Sequence, residues 1–396
     1  MDKKITIGLF IDTFFPMIDG VTMVVDNYAK RLSEYANVIV FAPEYPGVKY
    51  DDSKFSYEVV RCKSIKLPFV DYSLPIPKLD LSFKKKLKNA KLDIVHIHSP
   101  FSLGKIGIDY AKKNKIPIIG TMHSQYKQDF LRAIKFKWLA NFLTKIIIKQ
   151  YNRCDECWAV NNEVANIYFN DYHYKELPKV MNNATDMYLL PKMDRVKSII
   201  NQKLNILPDE KVFLFVGRIN KLKNIFFIVN SLKILKEKCD FKFKMLFVGT
   251  GQDEEGLKKL IKSYNMEDEI IMCGKITDRD LLAYHYARAD LFLFPSLYDA
   301  SSIVQIEAAS QKTPTLFIEG AATTATITKN VNGFISKNDE EKYADKILEI
   351  MHNEELYKKV CENAYKEVYV NWDDKVKEIY EIYLNKINMY NKIEKE

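Results

Sequence analysis

Short apolar runs that end in glycine or a polar side chain recur along this chain and alternate with longer helical patterns. In the first half they are ITIGLFID, NVIVFAP, DIVHIHSP, IPIIGTMH, ECWAVNN and KVMNN, and in the second half VFLFVGR, MLFVGTG, IIMCGK, LFLFPS and TPTLFIEG. Strands without polar alternation are buried on both faces, and the helices between them cover those faces. The pattern predicts an α/β protein with parallel sheets.

The two sets of strands predict two domains. With 396 residues and a hydrophobic content of 47%, the chain is long enough to bury two cores. The segment LPKMDRVKSIINQKLNILPDEK separates the sets and places the boundary near residue 190. We therefore expect domains at 1–190 and 191–371, and a polar, Tyr-rich helix at 372–396 that packs back on the first domain.

Unusual residues stand at the carboxyl ends of the predicted strands. Open parallel sheets bind ligands at that edge, so both domains are expected to direct their functional residues toward a shared cleft. The residues at these ends are Asp12, His98, Ser99, His123, Asn161, Arg218, Gly249, Gly251 and Ser296.

Two segments of the second half suit a diphosphate. Arg218 ends one strand, and Lys223 follows five residues later. Each cation contributes roughly 4 kcal/mol toward a phosphate charge at about 4 Å and an effective dielectric near 20, before desolvation is subtracted. Further on, Ser301 and Ser302 are the expected caps of a helix, whose first amides, near Ile303, offer an anion site. A solvated basic turn fits the two cations equally well.

Two acids flank that helix start. Asp299 precedes it, and Glu307 lies in its second turn, roughly 7 to 9 Å along the axis from the cap. Carboxylates so placed accept hydrogen bonds from hydroxyls, one on a sugar and the other on a ribose. Helix-capping acids on a solvent-facing surface are the alternative interpretation.

Together these motifs resemble family 4 of the retaining glycosyltransferases, over nearly the whole chain. The resemblance rests on VGR with a lysine five residues on, VGTG, PS and an acid-x7-Glu helix, in this order. It implies the GT-B fold, in which two Rossmann-like domains face each other across a cleft. It also implies that Arg218 and Lys223 hold the donor diphosphate, that Asp299 contacts the donor sugar and that Glu307 contacts the ribose.

The same resemblance assigns further binding residues. Gly249 and Gly251 are similar to a glycine turn beside the nucleotide, and Lys275 and Ile276 to a segment that meets the base through main-chain contacts. The turn FFPMIDGVT resembles the family's glycine loop, whose amide, here that of Gly20, approaches the diphosphate and the acceptor.

A histidine close to the reacting carbon is also implied by the resemblance. The segment GTMH carries it at His123, and a strand-end histidine satisfied by the backbone is the alternative. His98 ends the neighbouring strand and has a weaker claim, whereas His96 is expected in the core.

The sequence departs from the family pattern in three places. Asp299 replaces the more usual glutamate, Ala300 to Ser302 stand where a Gly-Phe-Gly-like segment is common, and Lys312 falls where glycine follows the helix. These changes leave the identity of the donor sugar open.

No metal or cofactor is expected. The segment from Thr277 to Asp280 resembles a DxD metal signature, but Thr277 followed by Asp280 fits a helix N-cap better. The lone CxxC pair, Cys154 and Cys157, has no second pair or spaced histidines for a zinc site.

The first half of the chain is basic. Residues 1–190 carry 28 Lys and Arg against 20 Asp and Glu, and the segment 130–154 has no acidic residue among its cations and aromatics. Such helices lie on anionic lipid, although a helix half buried in the domain also fits residues 129–153. We expect a lipid-linked or glycan acceptor, a cytoplasmic protein that is peripheral on the membrane, and no nucleic-acid partner.

The expected reaction is retaining transfer from a UDP- or GDP-linked sugar. A sugar-nucleotide epimerase or hydrolase of the same fold and a non-catalytic partner subunit are the alternatives. A nicotinamide dehydrogenase is disfavoured, because VGTGQDEEG lacks the GxGxxG spacing.

Overall fold

The computed structural model describes residues 4–66, 73–134, 136–297, 299 and 301–393, so that Lys135 and Ala300 lie outside the described residues. The chain forms two compact units: one runs to Asn183 and resumes at Trp372, and the other is Ala184–Asn371. Each unit is built on one parallel sheet with helices between its strands. The prediction of an α/β protein with two Rossmann-like parallel sheets is confirmed.

The first unit contains central strands that are buried along almost their whole length, together with edge and hairpin strands that are partly exposed. They are β1 Thr6–Phe10, β2 Asn37–Pro43, β3 Glu58–Cys62, β4 Ser64–Lys66, β5 Ser73–Pro75, β6 Ile94–Ile97, β7 Ile118–Met122, β8 Glu156–Ala159 and β9 Lys179–Val180. Seven of them form a sheet in the order β3-β2-β1-β6-β7-β8-β9, whereas β4 and β5 pair as an antiparallel hairpin. The strand β3 was not predicted, because its residues alternate in burial and form no apolar run.

Helices connect the strands of this sheet. They are α1 Gly20–Leu32, α2 Leu81–Asn89, α3 Ser102–Asn114, α4 Tyr126–Ile134, α5 Lys137–Tyr151 and α6 Asn162–Asn166, the last continued by a π-helical turn, Ile167–Asp171. Asp19, Asp80 and Asn161 cap α1, α2 and α6, since each side chain accepts a first-turn amide.

The second unit repeats the arrangement with six strands in the order β12-β11-β10-β13-β14-β15. Its strands are β10 Lys211–Val216, β11 Phe243–Val248, β12 Ile270–Gly274, β13 Leu291–Leu293, β14 Thr315–Ile318 and β15 Phe334–Ser336. Its helices are α7 Met193–Leu204, α8 Ile225–Lys238, α9 Glu254–Ser263, α10 Arg279–Arg288, α11 Ile303–Ser310, α12 Glu340–His352 and α13 Glu354–Asn363. The short strand β15 was not predicted.

The last helix, α14 Trp372–Ile393, belongs to the first unit. Trp372 and Tyr383 are buried, and Trp372 packs edge-on against Tyr28 of α1 with ring centroids 5.4 Å apart. Lys386 forms an ion pair with Glu156 of β8 at 2.6 Å. The helix therefore contributes both apolar and charged contacts to this unit.

The helix α3 begins without a side-chain cap of its own. Instead, the buried carboxylate of Asp12, just after β1, accepts from the Leu103 amide at 2.9 Å and from the Ser99 hydroxyl at 2.6 Å. Burial raises the pKa of Asp12, and these hydrogen bonds oppose that rise. Asp12 therefore joins the end of β1 to the start of α3.

Replacing Asp12 with alanine should lower the free energy of unfolding of the first unit by about 2–4 kcal/mol, because two buried donors lose their acceptor. Urea unfolding followed by tryptophan fluorescence measures this, since the protein's 3 tryptophans, at 138, 158 and 372, all lie in the first unit. Asp51→Ala, which removes an exposed turn cap, is the matched control and should have a much smaller effect. Equal effects of the two substitutions would contradict the bridging role.

Candidate functional site

Four neighbouring strands of the second unit end side by side, and each predicted nucleotide-site residue follows one of them. The strands β12, β11, β10 and β13 are adjacent, and Val216 pairs with Val248, which in turn pairs with Gly274. Neighbouring strands lie roughly 4.8 Å apart, so their carboxyl ends share one edge. In sheet order, this edge carries Lys275 and Ile276, then Gly249 and Gly251, then Arg218 and Lys223, and then the segment containing Asp299, Ser302, Ile303 and Glu307.

Lys223 and Asp299 form an ion pair at this edge, between Lys223 Nζ and Asp299 Oδ1. Both side chains are largely buried, with 17% and 16% of their surface exposed. Asn220 orders the turn, because its side-chain oxygen accepts from the Lys223 amide at 3.2 Å. The other carboxylate oxygen, Asp299 Oδ2, is buried and has no hydrogen-bond partner among the described residues. A ligand hydroxyl that donates to this oxygen would satisfy it.

Arg218 is the exposed cation of the site. Its guanidinium forms no ion pair with any residue in the described part of the chain, whereas Lys223 already contacts Asp299. The two cations therefore differ: Arg218 is available to an anion as it stands, and Lys223 can bind one only by sharing its charge with a carboxylate.

Gly249 and Gly251 are required by the fold itself. A Cβ atom on Gly249 would lie 1.9 Å from the carbonyl oxygen of Gly217, and one on Gly251 would lie 2.2 Å from that of Ile219. The turn after β10 and the turn after β11 therefore lie so close together that neither glycine could carry a side chain. These glycines bring the two turns together, and their role beside a nucleotide stays a prediction.

Lys275 and Ile276 line an open pocket of about 330 Å³ at the end of β12. Lys203 and Leu204 of α7 and His285 of α10 form other parts of its wall. The pocket places apolar and cationic groups next to the backbone that the sequence assigned to the base. The contact with a base itself stays a prediction.

The side chain of Ser302 does not cap the first-turn amides of α11. Ser302 occupies the cap position, as expected, but its side chain makes no capping hydrogen bond. The expected hydroxyl cap at this residue is therefore wrong. Helix N-terminal amides that lack an intrahelical partner form an anion site together with the helix dipole.

Glu307 is buried and already bonded on both oxygens. Its Oε1 accepts from Arg279 at 2.7 Å, and its Oε2 accepts from the Tyr286 hydroxyl at 2.9 Å. Arg279 also binds Asp186, and its buried Nε has no partner among the described residues. A carboxylate has about four acceptor positions, so Glu307 retains capacity for a ligand hydroxyl.

Sequence reasoning missed Arg279 and Tyr286 as partners of Glu307. They lie about two turns apart on α10, so they share a helix face. That spacing was the only sequence signal, and it is common in helices of every function.

The DxD-like segment starts a helix, but the cap was assigned to the wrong residue. Asp278, not Thr277, caps α10, and its Oδ1 accepts from the amides of Asp280 at 2.9 Å and Leu281 at 3.1 Å. An aspartate side chain reaches the second and third amides of a helix as well as threonine does. Within the described ranges, no group of three His, Cys, Asp or Glu side chains is placed to hold a metal ion.

The glycine loop of the first unit is ordered by Asp19. Its side chain accepts from the Thr22 amide at 2.7 Å and from the Thr13 hydroxyl at 3.2 Å. Gly20 is the first residue of α1 and is exposed, and nothing lies within 4 Å of the place where its side chain would be. Unlike Gly249 and Gly251, Gly20 has room for a side chain, and the approach of its amide to a ligand stays a prediction.

Three buried histidines lie where β6 and β7 end. His98 Nδ1 is 3.0 Å from His123 Nε2. His96 contacts the Tyr383 hydroxyl at 2.5 Å and the Thr121 hydroxyl at 2.7 Å through its two ring nitrogens, so it is a satisfied core residue. Burial lowers the pKa of all three rings, that of His123 to about 3. The histidines are therefore neutral at physiological pH.

The helix α5 has two different faces. One is buried and includes Ala140, Thr144, Ile147, Ile148 and Tyr151. The other is exposed and carries Trp138, Phe142, Lys145, Ile146 and Lys149. The helix is thus half buried and also presents an aromatic and cationic surface. None of the helices within the described residues is long and apolar enough to cross a membrane.

Both halves of the chain match models of known protein families. Residues 18–187 match the model described as glycosyltransferase family 4, and residues 196–367 match the model described as glycosyl transferases group 1. Among curated relatives, the alpha-monoglucosyldiacylglycerol synthase of Acholeplasma laidlawii is 28% identical over 90% of this chain and 91% of its own. The synthase of the same name from Streptococcus pneumoniae is 28% identical over 78% of this chain and 70% of its own.

Solved structures share the fold over nearly the whole chain. A glycosyltransferase from Rickettsia africae has a TM-score of 0.75 at 20% identity and covers 97% of this chain and 99% of its own. HepE from Anabaena, solved with UDP and glucose, has a TM-score of 0.72 at 16% identity, with 95% and 98% covered. The expected fold class is therefore confirmed.

Acidification should destabilise the first unit through its buried histidines. The unfolded chain protonates them near pH 6.5, whereas the folded chain does so far lower, for His123 near pH 3. The unfolded state therefore binds more protons between these values. The stability contribution is complete above pH 6.5 and declines as the pH falls, by about 1.4 kcal/mol per histidine at pH 5.5.

Urea unfolding at pH 7.5 and 5.5, followed by tryptophan fluorescence, measures this loss. The variant His98→Asn, which removes one buried histidine, should lose about 1.4 kcal/mol less than the wild type between the two values. His173→Gln removes an exposed histidine and is the control. The expectation is wrong if His98→Asn and the wild type show the same pH dependence.

Proposed function

The chain belongs to the glycosyltransferase family that these two models describe, and we propose that it transfers a sugar from a UDP- or GDP-linked donor to a hydroxyl of a lipid or envelope glycan. The anomeric configuration is retained, and no metal takes part. The observation that carries the proposal is the Lys223–Asp299 ion pair, with an unsatisfied acceptor oxygen beside the start of α11. A nucleotide diphosphate sugar supplies both an anion and hydroxyl donors for such a site.

The second unit binds the donor in this proposal. Arg218, Lys223 and the first amides of α11 neutralise the diphosphate, and together they provide the positive charge that leaving-group departure requires. Asp299 Oδ2 accepts from a hydroxyl of the donor sugar, and Glu307 accepts from the ribose. Because Arg279 and Tyr286 hold both oxygens of Glu307, the carboxylate is oriented before the ribose binds.

The first unit binds the acceptor. The amide of Gly20 and the neutral ring of His123 are its contacts with substrate. During transfer, the bond between the anomeric carbon and the diphosphate oxygen breaks, and a bond from the acceptor oxygen to the same carbon forms on the same face. The acceptor proton passes to the departing phosphate oxygen, so no protein base is needed.

A lipid acceptor is supported by two independent observations. The synthases of Acholeplasma laidlawii and Streptococcus pneumoniae are named for an α-linked glucosyl product on diacylglycerol. The exposed face of α5 presents Trp138 at 70% and Phe142 at 55% exposure next to two lysines, which suits an anionic membrane surface. A cytoplasmic protein that is peripheral on the inner membrane face follows, and the first pair to test is UDP-glucose with diacylglycerol.

Substitutions at the donor site should abolish most transfer without unfolding the protein. Lys223→Ala is expected to lower kcat/KM by about 100-fold or more, because the diphosphate loses a cation as charge develops. Glu307→Ala should raise the donor KM, since a ribose contact and a charge partner of Arg279 are lost together. Incorporation of labelled sugar into lipid, with circular dichroism as a folding check, measures both effects.

Lys221→Ala is the matched control for Lys223. It removes an exposed lysine from the same turn and should leave kcat/KM within about twofold of the wild type. Near-normal transfer by both Lys223→Ala and Glu307→Ala at saturating donor would refute the site. Complete donor consumption in the absence of any acceptor would instead favour an epimerase or hydrolase.

The exposed face of α5 should determine membrane binding. The double substitution Trp138→Ser with Phe142→Ser is expected to weaken co-sedimentation with anionic vesicles at low salt by at least about tenfold, because two large apolar groups no longer insert. The control, Ile199→Ser with Leu207→Ser, removes exposed apolar side chains from the second unit and should bind normally. Equal binding of the wild type to anionic and neutral vesicles would contradict a charged-lipid surface.

A further inference from the structure

His98 contains a buried polar atom that the proposed mechanism leaves unused. The side chain has no exposed surface, and its Nε2 has no hydrogen-bond partner among the described residues. Its Nδ1 lies 3.0 Å from Nε2 of His123. Each neutral imidazole carries one proton, on one of its two nitrogens. Because only one of the two facing nitrogens can donate, the contact ties the position of the proton on one ring to its position on the other.

The hydrogen bond between the rings has two possible directions. If His123 donates from Nε2, the proton of His98 sits on its own Nε2 and becomes a buried N–H without a partner. If His98 donates from Nδ1, its Nε2 carries no proton, and the buried atom without a partner is then an acceptor. Orphaned buried N–H groups are the rarer defect in folded proteins, so the second direction is favoured.

The surroundings hold the His98 ring in place. It lies against His96 with centroids 4.1 Å apart and the two rings tilted, and Tyr28 packs edge-on against it at 5.3 Å. His96 is in turn bonded through both nitrogens. These neighbours restrict the His98 ring, which contacts His123 through Nδ1.

We propose that His98 is a positioning residue for His123: it donates from Nδ1 to His123 Nε2 and thereby fixes His123 in the tautomer that carries its proton on Nδ1. His123 then presents a neutral N–H donor to an oxygen of the bound substrate. This assignment rests on the proposed glycosyl transfer for its functional meaning. It makes His123 a hydrogen-bond donor that orients substrate and not a proton acceptor.

The tautomer can be measured without any assay of transfer. The protein has 6 histidines, so two-bond ¹H–¹⁵N correlation spectra of ¹⁵N-histidine-labelled protein resolve each ring, and single His98→Asn and His123→Gln variants assign the two signals. The expected pattern has Nδ1 protonated and Nε2 unprotonated in both rings. A proton on Nε2 of either His98 or His123 overturns the proposal.

Kinetics of two His98 variants test the positioning role. His98→Leu removes the donor and should lower kcat by about 10–100-fold, with the donor KM changed by less than about threefold. His98→Asn keeps an N–H near the position of Nδ1 and should retain at least about a third of kcat. In His98→Leu, the His123 ring should also lose its single tautomer, which a purely structural role for His98 would leave intact.

The outcomes separate this proposal from the proposed function. If no sugar is transferred by the wild type, the enzymatic proposal fails while the spectra still decide the tautomer. If His98→Leu does not fold, the wild-type spectra and the His98→Asn kinetics decide. Full kcat in His98→Leu, or an unchanged His123 tautomer in it, overturns the positioning role.

Discussion

Burial of both faces of each sheet is the constraint on which the rest of the structure depends. Strands such as β10 and β6 present almost only apolar side chains to the helices that cover them. The core strands therefore carry few charged side chains, and the polar residues of the predicted site collect where these strands end. In the second unit, four adjacent ends carry the cations, the carboxylates and the close backbone turns, and in the first unit two adjacent ends carry the histidines. The position of the chemistry follows from the packing of the core.

The buried polar groups of the two units differ: the second unit has a largely buried ion pair, and the first has neutral histidines. In the second unit, Lys223 and Asp299 are each largely buried and compensate one another as an ion pair. A buried charge without a partner is strongly destabilising, so each side chain stabilises the other in this position. In the proposed function, a phosphate shares the lysine, and a sugar hydroxyl compensates the carboxylate through its second oxygen. The histidines of the first unit are the opposite case, because burial keeps them neutral and limits them to directional hydrogen bonds.

The fold was predictable because a continuous apolar run in the sequence indicates a strand that is buried on both faces. The strands that were not predicted lack such a run. The strand β3 alternates in burial and β15 has three residues, so neither produces a run. The structure places the predicted site residues at or just after strand ends, but their contacts were not predictable from the sequence. The partners Lys223 and Asp299 are 76 positions apart, and Arg279 and Glu307 are 28 apart. Such pairings depend on strand order and helix rotation, which no local pattern contains.

The C-terminal helix shows how a distant segment supports the chemistry of the first unit. Tyr383 of α14 bonds to His96 and stacks on Trp158 at 6.2 Å, and the His96 ring lies against that of His98 with centroids 4.1 Å apart. Each contact restricts the next ring. In the proposed positioning role of His98, the orientation of His123 therefore depends on α14, because a freely rotating imidazole would present either nitrogen. The sequence predicted that this polar, tyrosine-rich helix packs back on the first domain, and in the structure one of its tyrosines, Tyr383, forms the hydrogen bond to His96.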